Sequence, residues 1–141
     1  MRRTTMTAAA LLTALLAAGV SGCAKSYDEQ VKDCAAALAD RAAVDGDAPT
    51  VSEAKTRIDA LDKTLADLVR RGATGTAMAK EKYDAVEAKS KGLGKGRPGA
   101  CGPVSKGDYN ALRMALAIDA LGWTDEDGGF DKLKMIQGAG G

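Results

Sequence analysis

The residues of this chain best suited to chemistry are carboxylates, because the sequence contains no histidine. That absence removes the serine–histidine triad, the histidine-activated cysteine, the phosphohistidine relay and every histidine-ligated zinc site. Carboxylate-only catalysis, as in glycosidases, survives, since it needs only two acids at a suitable separation. Asp119 is the lone acid on an apolar helical stretch. It reads as a buried general acid, as the solvent-facing line of its helix, or as one half of an ion pair, and the structural readings are preferred. Asp125-Glu126-Asp127-Gly128 has the acidity of a calcium loop. An EF-hand aligned on Gly128 needs a carboxylate where Trp123 stands and a glutamate where Lys134 stands, so no metal site is assigned. These acids read instead as the first turn of a helix capped by Thr124 and stabilised by its dipole. Residues 92–99 offer glycine N–H groups beside Lys95 and Arg97, as a phosphate cradle does. No Gly-Lys-Ser/Thr follows a strand, so the expectation for 92–99 is a flexible solvated connection, with about 1 kcal/mol of attraction per basic residue of the stretch Lys89 to Arg97 toward anionic surfaces. No catalytic residue and no cofactor is assigned.

A different chemistry sits at the N-terminus. Arg2 and Arg3 precede an apolar, alanine-rich run over residues 8–22, which ends in Val20-Ser21-Gly22-Cys23. Fifteen residues fall short of the ~18–20 that a spanning helix needs. The pattern resembles the lipobox of bacterial lipoproteins, and the alanine- and glycine-rich composition resembles small lipoproteins of high-GC Gram-positive bacteria. The resemblance implies cleavage before Cys23, so that residues 1–22 are a signal peptide, and attachment of a diacylglycerol with palmitate-type acyl chains to the Cys23 thiol. Arg2-Arg3 lacks the flanking residues of a twin-arginine signal and serves as an ordinary basic n-region. Localisation follows as extracytoplasmic and lipid-anchored to the cell membrane.

With Cys23 assigned to lipid, Cys34 and Cys101 remain as one pair in an oxidising compartment, and a disulfide between them is expected. It would close a loop of about 68 residues and contribute on the order of 4 kcal/mol through chain entropy. Two buried free thiols or an intermolecular bridge are the alternatives.

The elements that must position these groups read as helices throughout. Aromatics are only 4% of the chain, and no stretch alternates in the β-branched manner of a strand. The expectation is an all-α domain over residues 26–137, a bundle of four main helices and a short C-terminal one, with a fraying tail at 138–141. The first helix starts at the capping box Ser26-x-x-Glu29 and ends near Ala43, with Tyr27, Val31, Cys34 and Leu38 inward. The second starts at Thr50-x-x-Glu53 and stops at Gly72, with Ala54, Ile58, Leu61, Leu65 and Leu68 as its apolar stripe. A weaker third helix spans about 76–91, with Ala79, Tyr83 and Val86 inward and glycines at its borders. Five glycines and two prolines keep 92–104 irregular. The fourth helix runs from Ser105 to Leu121 and is apolar around most of its circumference, so it should be central. Phe130, Leu133 and Ile136 mark the last, short helix.

Loss of Arg2 and Arg3 with the leader leaves 18 basic residues against 19 acidic ones, which directs nothing toward nucleic acid. The charges are segregated, however. Residues 88–107 hold five bases and no acid, and residues 114–131 hold five acids and no base. The expectation is that these segments act mainly on each other or on solvent. Only Ala24 and Lys25 separate Cys23 from the capping Ser26, so at ~3.5 Å per residue the body lies within about 10 Å of the lipid surface. The leading function is a membrane-apposed, non-catalytic module that binds an envelope protein or near-surface ligand. A small-ligand carrier, marked by a large internal pocket, and a carboxylate cell-wall enzyme, marked by two convergent acids in a cleft, are the alternatives.

Overall fold

The computed structural model describes residues 24–138. Residues 1–22, read from the sequence as a signal peptide, the lipidation candidate Cys23 and residues 139–141 of the tail lie outside the described residues. Five α-helices follow in order: α1 Tyr27–Ala42, α2 Val51–Val69, α3 Ala73–Leu93, α4 Lys106–Ala120 and α5 Lys132–Gln137, with a 3-10 turn at Gly99–Cys101. The described residues contain no strand beyond one isolated bridge between Thr124 and Phe130. The all-α expectation holds.

Both capping boxes form as the sequence predicts. The Ser26 and Thr50 hydroxyls accept from the N–H groups of Glu29 and Glu53, and each glutamate accepts in return from its cap residue's backbone. The central position of α4 follows from its composition. Leu112, Ala115, Leu116, Ala117 and Ile118 are fully buried, and the helix packs against α1, α2 and α3. Its buried alanines leave room for close helix packing, and Leu38, Val86 and Met135 close the core around it. Cys34 and Cys101 are bonded in that core, with Cα atoms 4.5 Å apart, which ties α1 to the 3-10 turn.

Four helices depart from expectation. In α1, Val31, Cys34 and Leu38 are buried, but Tyr27, in its first turn, is 44% exposed. The inward stripe of α2 runs Ala54, Arg57, Leu61, Thr64, Leu68, while Ile58 and Leu65 lie at its flank, half-buried. Both stripes have helical spacing, and packing against α4 selected the one that carries Arg57. The third helix is the longest, with 21 residues. Gly75 in its first turn is a packing requirement, because a Cβ there would collide with the Leu68 carbonyl of α2. Close approach to α2 and α4 thus holds a segment of weak propensity helical. Its inner face includes Lys82, 3% exposed, whereas Tyr83 points outward at 46%. The Lys82 ammonium donates to the Gly138 carbonyl at 3.1 Å and stands 5.7 Å from the Trp123 ring centroid, so its apolar stem is covered while its charge is met. In α5, Met135 is the buried residue and Leu133 is 65% exposed.

Residues 124–129 do not start a helix. The Asp125 carboxylate accepts from the N–H groups of Asp127 and Gly129, and the Asp125 N–H donates to the Gly129 carbonyl, which closes a tight turn. The helix start lies at Asp131, whose Oδ1 accepts from Leu133 and Lys134.

Candidate functional site

Loop 43–50 and the start of α2 divide two clefts. On one side an open groove of about 610 Å³ runs between the first turns of α1, loop 48–50 and the start of α4. Tyr27, Val31, Ala35, Ala48 and Val51 make its apolar lining, and Asp28, Lys32, Lys55 and Asp108 place charges of both signs around it. The Tyr27 hydroxyl donates to Asp108 at 2.7 Å and accepts from the Ser105 N–H at 3.1 Å. The Tyr27 hydrogen bond holds the Asp108 carboxyl below the usual carboxylate range, with Lys55 and Ser105 acting in the same direction.

On the other side lies a polar cleft of about 320 Å³, formed by Asp45 and Asp47 of the loop, Glu53 and Arg57 of α2, Asp119 of α4 and the turn at 124–128. The Thr50 backbone N–H holds the Glu53 carboxyl low, and the Thr50 hydroxyl adds to the effect. Asp119 accepts from the Thr124 hydroxyl at 2.6 Å, and its other oxygen is 3.8 Å from Arg57 Nη1. Arg57 is 7% exposed, and its Nε and Nη1 have no hydrogen-bond partner among the described residues. Its Nη2 lies so close to Gly128 that a Cβ there would come within 2.8 Å. The positive φ of Gly128, +77°, also suits the turn.

The structure therefore resolves the reading of Asp119 in favour of an ion pair with a base, and brings it together with the acidic turn Asp125 to Asp127. Among the described residues, no three Cys, Asp or Glu side chains converge as a metal ion requires. The connection over 92–99, within the basic stretch Lys89 to Arg97, is not the loose one expected. Helix α3 extends into it to Leu93, and Arg41 Nη1 donates to the carbonyls of Leu93, Lys95 and Gly96 at 2.7–2.9 Å. Arg97 donates to the carbonyls of Cys101 and Val104 and lies 4.5 Å over the Tyr109 ring. Nor do the basic and acidic segments pair. Lys91 reaches Glu87, Asp119 faces Arg57, and no ion pair among the described residues joins 88–107 to 114–131. The base that answers the acidic segment is one the charge pattern did not single out. Its signal was present: Arg57 sits at helical spacing between Ala54 and Leu61, but a charged residue on an apolar stripe is ordinarily assigned to solvent.

No helix among the described residues is long and apolar enough to cross a membrane. No protein-family model, curated protein or solved structure matches this chain.

Proposed function

We propose that the protein is a lipoprotein held by Cys23 at the outer face of the cytoplasmic membrane, where its helical body is a non-catalytic module that binds an envelope protein or another near-surface ligand. The observation that carries this reading is the groove beside Tyr27. It lies next to the first turn of α1, four residues after Cys23, so a short tether presents it at the lipid surface. An apolar floor with acids and bases around it suits an apolar segment of a membrane-bound envelope protein better than a free lipid chain, which has no charges to match. The carrier alternative has less support, because the grooves are open surface features. The enzyme alternative has the acidic cleft in its favour. Against it, Glu53 is held ionised by its cap, and Asp119 is committed to Thr124 and Arg57.

Two substitutions test the proposal. Cys23→Ala releases the protein from the membrane or leaves its precursor unprocessed, since one thiol carries the anchor. Membrane retention of a normally processed Cys23→Ala chain would falsify the anchoring. A photocrosslinker placed at Tyr27 of the lipidated protein should yield one adduct with a membrane-bound protein, and Val51→Glu should abolish it. An adduct indifferent to Val51→Glu sinks the groove as the binding surface.

A further inference from the structure

The polar cleft contains an unusual combination: a buried guanidinium with unmet donors under a rim of carboxylates. Seven acidic residues and Arg57 line it, with no other cation. Glu53, Asp119 and Asp125 are engaged by Thr50, Thr124 and the backbone of the acidic turn respectively. Asp45, Asp47, Glu126 and Asp127 are different, for their carboxylates make no hydrogen bond or ion pair among the described residues. A buried donor without a partner is costly, and more so when it is charged, which is why nearly all such groups in folded proteins are satisfied by protein, water or ligand. Asp119, at 3.8 Å, supplies charge to Arg57 but no hydrogen bond.

The two halves of the cleft set opposite requirements. The guanidinium calls for a planar two-oxygen acceptor such as a carboxylate. A simple anion reaching it must pass four unengaged carboxylates, and a simple cation attracted by those carboxylates is repelled by Arg57 and leaves its donors unmet. One molecule meets both requirements if it carries a carboxylate at one end and an ammonium group at the other. The volume, about 320 Å³, is at the small end of ligand pockets and suits a body of that size.

We propose that this cleft binds a dibasic amino acid, free or as the C-terminal residue of a short peptide, with its carboxylate on Arg57 and its side-chain ammonium among Asp45, Asp47, Glu126 and Asp127. The site is separate from the apolar groove and does not depend on the anchor. Its test therefore fails or succeeds independently of membrane attachment.

The experiment is calorimetric titration of the full-length protein in detergent micelles. L-lysine should bind saturably, whereas lysinamide, which lacks the carboxylate, and butylamine and inorganic phosphate, each of which satisfies half of the cleft, should bind at least tenfold more weakly. Glycyl-lysine distinguishes the sources: tighter binding than lysine assigns the site to peptide ends, and weaker binding assigns it to the free amino acid. In Arg57→Met the difference between lysine and lysinamide should vanish, and the joint substitution Glu126→Gln with Asp127→Asn should weaken lysine severalfold while circular dichroism is unchanged. The wild-type comparison of lysine with lysinamide stands even if a variant misfolds. Absence of lysine binding at millimolar concentration, equal binding of lysinamide, or phosphate binding as tight as lysine overturns the proposal.

Discussion

Two regions of this molecule use arginine in opposite ways. Around residues 93–104, Arg41 and Arg97 are exposed, yet their donors close on backbone carbonyls that glycine-rich chain would otherwise leave to water. In the acidic cleft, Arg57 is buried, yet two of its donors close on nothing. The first arrangement is structural: guanidinium groups and a disulfide replace the secondary structure that the loop lacks. The second leaves buried donors without a hydrogen bond in a concave site, although Asp119 answers the charge, and this is the observation on which the proposed ligand site rests. Exposure and basic charge alone point to the wrong one of the two. Hydrogen-bond accounting separates them.

The comparison breaks most decisively at the disulfide. Replacing Cys34 and Cys101 together by alanine should lower stability by about 2–5 kcal/mol, read from the shift in denaturant midpoint, because the bond closes a separation of 67 residues and both sulfurs are in the core. Hydrogen exchange in that variant should accelerate first across 93–104 and last at the acidic turn. Equal acceleration at both ends would remove the distinction. The two arginines provide the next test. Arg97→Ala should cost about 1–2 kcal/mol through the carbonyls it abandons. Arg57→Met should cost under about 1 kcal/mol, since it removes a desolvated charge with unmet donors and leaves Asp119 its bond to Thr124. A larger loss for Arg57→Met would make it the structural pin.

Acid titration gives the smallest effect and the finest contrast. The folded-state pKa values of Glu53 and Asp108 lie below their ordinary values, so each contributes stability that is fully present above the unfolded pKa and lost as pH falls through the lowered folded one. Below about pH 4, exchange protection should therefore fall near 50–53 and 105–108 by well under ~1 kcal/mol, given their exposure. Residues 93–103 hold no acid and should keep their protection over the same range. Glu53→Gln and Asp108→Asn should flatten the pH response. A response that persists in both variants assigns it to other carboxylates.

The sequence by itself determined the helical class, both capping boxes and the central role of α4, and, with Cys23 read as the lipidation site, it left Cys34 and Cys101 as a pair. Each of these depends on local periodicity, on side chains that bond backbone three residues away, or on a count of cysteines, none of which needs knowledge of neighbours. Tertiary structure decided what packing alone can arbitrate. It chose between two stripes of equal helical spacing on α2 and so buried Arg57 rather than Ile58. It covered Lys82 rather than Tyr83 because a long aliphatic stem reaches the Gly138 carbonyl, and it lengthened α3 because Gly75 lets the helix meet the α2 backbone. It also turned the basic loop into a bonded structure and the acidic run into a closed turn. These outcomes depend on carbonyls, rings and charges brought together from far apart in the chain, and the free energy that selects among locally equivalent conformations exists only once those groups are in contact.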